Sequence, residues 1–230
     1  MNRTSWTTEE LQTLLSAVSH DLRTPLSVIA GRASVLRELV RADHRRDLDT
    51  IVEEAHNLSY TFENLLALIG AGRETASREW VPLEEVVGAV LVRLASVFDG
   101  RPLRADVPNE LLAHLHPARG ELLIANLLRR AAAHAAPDTP IEIAARRGDR
   151  VVSIEVVVRG PKVGVEQTHP HADDRATRAD SLGLAACHAI VSSYGGSMKI
   201  GERAGEGMVL HACIPDGEPV PDLGPAQETE

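Results

Sequence analysis

Apolar residues recur at intervals of three and four positions along two long stretches in the first third of the chain. The first stretch spans Leu11–Val40 and the second spans Leu48–Ile69. This spacing places apolar side chains along one face of an amphipathic α-helix. A polar break at 41–44 separates the stretches, so we predict two long helices, the first over about 8–42, that form an antiparallel hairpin.

An isolated hairpin cannot bury the apolar stripes of both its helices. A second copy of the chain would cover the surface that remains exposed, because four helices can share one core. We therefore predict a dimeric four-helix bundle.

The pattern changes after residue 80, where short apolar runs alternate with helical spacing. We predict strands at 103–107, 141–145, 151–158, 197–200 and 208–214, helices at 119–134 and 181–194, and a short strand running into a helix at 81–87. Elements mixed in this way form an α/β sandwich with helices on one face of a mixed sheet. The predicted fold class of the whole chain is therefore α+β.

The same pattern divides the chain into four segments. The hairpin occupies 1–72, a polar linker 73–79, and the α/β domain 80–215. The tail at 216–230 is rich in proline, glycine and acidic residues, so we predict that it is disordered.

Composition and net charge argue against some classes of binding partner. The chain has 230 residues and a formal net charge of -9, which argues against nucleic acid or an anionic membrane as the main partner. No apolar run is long enough to span a bilayer, and no basic segment with an apolar core opens the chain. We therefore expect a cytoplasmic protein with no membrane segment.

The candidate chemistry lies in the first predicted helix, in the sequence Ser-His-Asp-Leu-Arg-Thr-Pro-Leu at 19–26. His20 falls off the apolar stripe, and a neutral imidazole is a good nucleophile near pH 7. Asp21 can orient the imidazole or accept its proton, and Arg23 can offset the charge of a phosphoryl group. Thr24 lies one turn after His20 and can position a water. These four residues form a candidate phosphotransfer site.

This octapeptide resembles the phosphoacceptor box of two-component sensor histidine kinases. The resemblance implies that His20 is phosphorylated and passes the phosphoryl group to an aspartate of a response-regulator receiver domain. It also implies an acid/base role for Asp21, a phosphatase role for Thr24 and dimerisation through the hairpin. The later motifs, among them Leu-Gly-Leu-Ala at 182–185, resemble the ATP-binding domain that follows the bundle in this family.

The residues expected to hold magnesium differ from the family pattern. By resemblance, the motif that starts at Asn126 should contain a magnesium-coordinating asparagine four residues later, preceded by an acidic residue. Arg130 and Arg129 occupy these two places. A cation cannot ligate Mg²⁺, and its charge repels the metal. The resemblance therefore predicts that the metal site is lost.

The adenine and phosphate contacts differ as well. Val158 replaces the family's adenine-binding aspartate, and Lys162 replaces a glycine of the loop that retains Gly160. In the glycine-rich phosphate loop, Gly183 remains but Asp180 adds negative charge where phosphates would lie. We therefore predict a degenerate pocket without ATP binding, and no cofactor of the chain's own.

These features predict a dimeric histidine phosphotransferase. His20 would receive a phosphoryl group from a receiver phospho-aspartate or from an upstream hybrid kinase, and would pass it to a second receiver that supplies its own Mg²⁺. Two alternatives stay open. One is an ATP-dependent sensor histidine kinase with residual autophosphorylation, and the other is a pseudokinase that acts on a response regulator as an interaction or phosphatase module.

Overall fold

A computed structural model describes most of the chain. It covers residues 7–70, 77–98, 100–136, 139–159, 175–203 and 207–216. Within the helices, the side chains at 8–12, 15, 16, 20, 42, 43, 96 and 175–180 are not described. The predictions for the linker at 73–79 and for the tail therefore fall largely outside the described residues.

The described chain begins with two long helices and continues as a mixture of strands and helices. The helices are α1 (Thr8–Leu39), α2 (Ala42–Gly70), α3 (Leu83–Arg93), α4 (Ala95–Phe98), α5 (Pro117–His134) and α6 (Arg175–Ser193). The strands are β1 (Glu79–Pro82), β2 (Leu103–Asp106), β3 (Leu112–Leu115), β4 (Ile141–Arg147), β5 (Val151–Val158), β6 (Ser197–Arg203) and β7 (Gly207–Pro215). No helix in these ranges is long and apolar enough to cross a membrane.

The first compact unit contains α1, α2 and α6. Helices α1 and α2 pack along each other, and α6 packs on α2. Small residues at the α1–α2 contact, namely Ala30, Ala33 and Ala55, are buried and let the two backbones approach. At the loop end of the hairpin, the Arg37 guanidinium pairs with the Asp49 carboxylate. The predicted antiparallel hairpin is confirmed.

The second compact unit is an α/β sandwich. Its five-stranded sheet has the order β2-β4-β5-β7-β6, in which β2 runs parallel to β4 and the other neighbours are antiparallel. Helix α5 packs across β4, β5 and β7, and α3 packs on α5. The core between these layers is aliphatic and includes the fully buried Leu123, Leu127 and Ile143. The mixed sheet and the α+β class are as predicted.

Several predicted boundaries were wrong by a few residues. Helix α1 ends at Leu39 rather than near 42, and α6 begins at Arg175 rather than at Ser181. The strand β3 was not predicted, although it pairs with β1 in a separate antiparallel two-stranded sheet. Four residues are too few to show a period of two, and the partner strand is distant in sequence.

Candidate functional site

The octapeptide at 19–26 lies within α1, and its buried and exposed positions fit the packing of the hairpin. Ser19 is buried, whereas Asp21 and Thr24 are exposed. Beside this sequence, a narrow cleft between α1 and α2 is lined by Ser19, Leu22, Arg23, Leu26, Ser59 and Phe62. The apolar side of the octapeptide is therefore used for packing, and its polar side is accessible.

His20 occupies a helical position between the buried Ser19 and the exposed Asp21. Its side chain lies outside the described part of the structure, so the predicted accessibility of the imidazole stays a prediction. Residues three and four positions apart are neighbours on a helix surface, which places Arg23 and Thr24 next to position 20. The backbone of α1 thus brings the four predicted site residues onto adjoining positions.

An ion pair links this part of α1 to α2. The Arg23 Nη2 donates to the Glu63 Oε1 at 3.2 Å, and the two side chains are 54% and 28% exposed. A pair this exposed is worth about 0.2–1 kcal/mol, because water and salt screen it. Sequence reasoning missed Glu63, because it lies 40 positions from Arg23 and the two residues meet only when the hairpin closes.

The residues predicted to form the degenerate metal site lie together on α5. Asn126 is buried, and Arg129 and Arg130 are half-buried in the last two turns of the helix. Arg101 adds a third guanidinium group at this end of α5, where its Nη1 donates to the Ala132 carbonyl at 2.8 Å. Cations are favoured at a helix carboxyl terminus because they meet the negative end of the helix dipole. Arg101, which donates to a carbonyl of the last turn, therefore has a structural reason for its position, whereas Arg129 and Arg130 lie before that turn.

The predicted adenine position is apolar and closed. Val158 ends β5, is 2% exposed, and lies opposite Ile141 and Met208 on the neighbouring strands. The next residue, Arg159, turns its Nε and Nη2 to the Glu142 carboxylate at 3.2 and 3.3 Å. The end of β5 thus offers adenine no side-chain acceptor at position 158.

The remaining predicted pocket residues are only partly described. Gly160 and Lys162 lie outside the described residues. Asp180 and Gly183 both lie in α6, where Gly183 is buried and the side chain of Asp180 is not described. Positions 180 and 183 are therefore helical and not part of an open loop.

The side chains at positions 129, 130 and 158 carry no oxygen that could ligate magnesium or accept a hydrogen bond from adenine. Magnesium takes oxygen ligands, and the guanidinium groups of Arg129 and Arg130 carry only N–H donors. Among the residues that the structure describes, no group of three His, Cys, Asp or Glu side chains is placed to hold a metal ion. The hydrocarbon side chain of Val158 likewise cannot accept a hydrogen bond from adenine.

Two family models match the chain in the order of its domains. Residues 10–69 match the His Kinase A (phospho-acceptor) domain. Residues 116–218 match the histidine kinase-, DNA gyrase B- and HSP90-like ATPase. The chain is homologous to the sensor histidine kinases. The octapeptide of α1 lies inside the first match, and the residues of the predicted degenerate pocket lie inside the second.

Curated sensor kinases are similar over nearly the whole chain. The chain is 32% identical over 223 residues to the sensor protein KdpD of Escherichia coli, a match that covers 91% of this chain and 25% of that protein. It is 30% identical over 230 residues to KdpD of Mycobacterium tuberculosis, covering 90% of this chain and 26% of that protein. The chain thus spans about a quarter of the length of the curated relatives that it matches.

Solved histidine kinases share the fold. The Acinetobacter baumannii histidine kinase AdeS superposes with a TM-score of 0.58 at 21% identity, over 86% of this chain and 98% of that chain. Full-length ShkA in complex with AMPPNP superposes with a TM-score of 0.59 at 21% identity, over 88% of this chain and 45% of that chain. Sequence identity this low shows the common fold alone.

Proposed function

We propose that the chain acts in two-component signal transduction and that His20 is its phosphoacceptor. The observation that carries this proposal is the octapeptide at 19–26, which lies on α1 inside the matched phospho-acceptor domain. A ring nitrogen of His20 would attack the phosphorus in line and form an N–P bond while the bond from phosphorus to the donor oxygen breaks, and the donor would leave as ADP or as the aspartate carboxylate of a receiver. An aspartate of a receiver domain would then take the phosphoryl group, and Mg²⁺ bound by the receiver would neutralise the charge that develops.

Homology favours ATP as the source of the phosphoryl group. The first matched domain is a histidine kinase phospho-acceptor domain, the KdpD relatives are sensor proteins, and the second matched domain is an ATPase of the histidine kinase-, DNA gyrase B- and HSP90-like type. In this first version of the proposal the chain is an ATP-dependent sensor histidine kinase that phosphorylates itself at His20.

The residues on α5 and β5 favour a second version. Arg129, Arg130 and Val158 replace the groups that would bind magnesium and adenine in the family, and Val158 is buried. In this version the chain is a histidine phosphotransferase. It accepts the phosphoryl group from a receiver domain or an upstream hybrid kinase and uses no nucleotide of its own.

Phosphoryl transfer to the full chain separates the two versions. The chain is incubated with labelled ATP and Mg²⁺ in one arm and with phosphorylated receiver domains in the other, and acid-labile label is mapped. Label at His20 from ATP supports the kinase, and label from receivers alone supports the phosphotransferase. His20→Ala should abolish the label, whereas His56→Ala, at an exposed position of α2, should retain it. The absence of label at His20 in both arms would refute the phosphoacceptor role.

We further propose that the functional unit is a dimer formed by the hairpins. Large apolar side chains remain exposed on α1 at Val28 and Val35 and on α2 at Ile51 and Leu58, each pair seven positions apart. A seven-residue apolar repeat is the pattern that helices use to pack side by side in bundles and coiled coils. A second hairpin would cover this stripe and complete a four-helix bundle.

A further inference from the structure

The ion pair between Arg23 and Glu63 lies next to the proposed phosphoacceptor and suggests a role for Glu63. The guanidinium of Arg23 is three positions after His20 on α1, and residues at this spacing are surface neighbours. This guanidinium donates across the hairpin to α2, where its Nη2 lies 3.2 Å from the Glu63 Oε1. The guanidinium is therefore held by α2 at a point within one turn of position 20.

The energetics favour an exchange of partners when position 20 carries a phosphoryl group. The present pair is exposed and joined by a single hydrogen bond, so it is weak. A phosphoryl group carries more than one negative charge and several acceptor oxygens, and arginine binds such groups through short, charge-assisted, often bidentate hydrogen bonds. The phosphoryl group is thus the stronger competitor for the same guanidinium.

We propose that Glu63 is a positioning residue for phosphotransfer at His20. Its carboxylate holds Arg23 in the unphosphorylated chain and releases it to the phosphoryl group once His20 is modified. Glu63 then opposes the phosphohistidine state, because each phosphorylation must first break the Arg23–Glu63 pair. The exchange also removes one polar contact between α1 and α2 beside the cleft that Leu22 and Phe62 line. This inference rests on the proposed phosphoacceptor role of His20.

The test uses phosphoramidate, a small donor that needs neither ATP nor a receiver. The donor's P–N bond breaks as a ring nitrogen of His20 bonds to phosphorus, and ammonia leaves. The lifetime of phosphohistidine in the full chain is then followed by ³¹P NMR. In its hydrolysis, water attacks phosphorus, the histidine P–N bond breaks, and inorganic phosphate leaves as the imidazole regains its proton.

The variants have opposite expected effects. Glu63→Gln frees Arg23 and should lengthen the lifetime of phosphohistidine by about two- to fivefold, the size expected for an exposed ion pair. Arg23→Gln should shorten the lifetime by a similar factor. The double variant should behave like Arg23→Gln alone, because Glu63 acts only through Arg23. Glu63→Asp should restore the wild-type lifetime, and Glu53→Gln, at an exposed site of α2 with the same change of charge, should leave it unaltered.

The outcomes separate this inference from the function on which it rests. If wild-type His20 is phosphorylated but Glu63→Gln shortens the lifetime of phosphohistidine or leaves it unchanged, the role of Glu63 is refuted and the phosphoacceptor role stands. If the lifetime of phosphohistidine is also longer in the double variant, the role of Glu63 is refuted, because the effect of Glu63 would then not depend on Arg23. If His20 is not phosphorylated by phosphoramidate, by ATP with Mg²⁺ or by a phosphorylated receiver, both the inference and the proposed function are refuted.

Discussion

At the scale of single residues, the burial of Val158 bears most directly on the proposed loss of nucleotide binding. Its side chain is buried at the end of β5, between strands β4 and β7. The family resemblance calls for an aspartate here, yet the surroundings in this chain are built for an aliphatic group. The replacement is therefore part of the core and not an isolated change in an open pocket.

Restoring the carboxylate at this position should destabilise the protein. Val158→Asp places an ionisable group at a site that is 2% exposed, and we expect a loss of about 3 kcal/mol or more in the free energy of unfolding. The matched control is Val92→Asp on α3, where the valine is 80% exposed and the change should stay within about 0.5 kcal/mol. Urea unfolding of both variants measures the difference. If Val158→Asp and Val92→Asp lower the free energy of unfolding by the same small amount, position 158 tolerates a charge.

Cys187 on α6 should make the protein less stable at alkaline pH. Desolvation by burial raises the pKa of its thiol well above the ordinary value of 9.0, and a backbone hydrogen bond only partly offsets this. At pH values below that ordinary pKa, the thiol is protonated in both the folded and the unfolded chain. The folded state therefore keeps the full stability that the buried thiol contributes. As the pH rises further, the unfolded chain loses the proton first, and this group costs about 1.4 kcal/mol of stability per pH unit.

A pair of cysteine variants isolates that contribution. Urea unfolding between about pH 8 and 10.5 should show a shallower loss of stability for Cys187→Ala than for the wild type. Cys213→Ala, which removes the half-buried cysteine, serves as the matched control for the loss of a thiol. If the free energy of unfolding falls with pH at the same rate in all three proteins, the pH dependence does not come from Cys187.

The positions of helices and strands depend on close packing as well as on the periodicity of their sequences. The start of α5 is an example. Gly120 lies in the first turn of α5, where an added Cβ would lie 2.7 Å from the Cδ1 of Leu115. Leu115 belongs to β3 and is fully buried, so it has little room to move. The glycine therefore sets the distance between α5 and the small sheet of β1 and β3.

Two glycine-to-alanine variants in helices should have effects of opposite sign. Gly120→Ala should lower the free energy of unfolding by about 1–3 kcal/mol, because overpacking outweighs the gain in helix propensity. Gly88→Ala on α3 meets nothing within 4 Å and should raise stability by about 0.5–1 kcal/mol. Thermal unfolding compares the two. A stabilised Gly120→Ala would mean that the β3–α5 contact is looser than the 2.7 Å approach indicates.

At the scale of the whole molecule, the exposed apolar stripe of the hairpin predicts self-association. The full chain should sediment as a dimer, and Val35→Glu should weaken the dimer by about tenfold or more, because it places a charge in the proposed interface. Val92→Glu introduces the same group at an exposed site on α3 and should leave association unchanged. A chain that stays monomeric at all concentrations would contradict the four-helix bundle.

Local patterns in the sequence determined much of this protein. The three- and four-residue spacing predicted α1, α2 and their hairpin, and the runs at 141–145 and 151–158 predicted two strands, which pair as β4 and β5. The octapeptide at 19–26 indicated the candidate phosphoacceptor region through the chemistry of its side chains alone. These features depend on residues close together in the chain, whose side chains repeat with the period of their own element.

Only the tertiary structure decided the contacts between distant residues. The pairing of β1 with β3, the parallel alignment of β2 with β4, and the ion pair of Arg23 with Glu63 each join residues far apart in the sequence. The same is true of Val158, whose burial depends on the strands on both sides of it. No local period encodes such partners, because they meet only when helices and strands have packed and the apolar surface has left water.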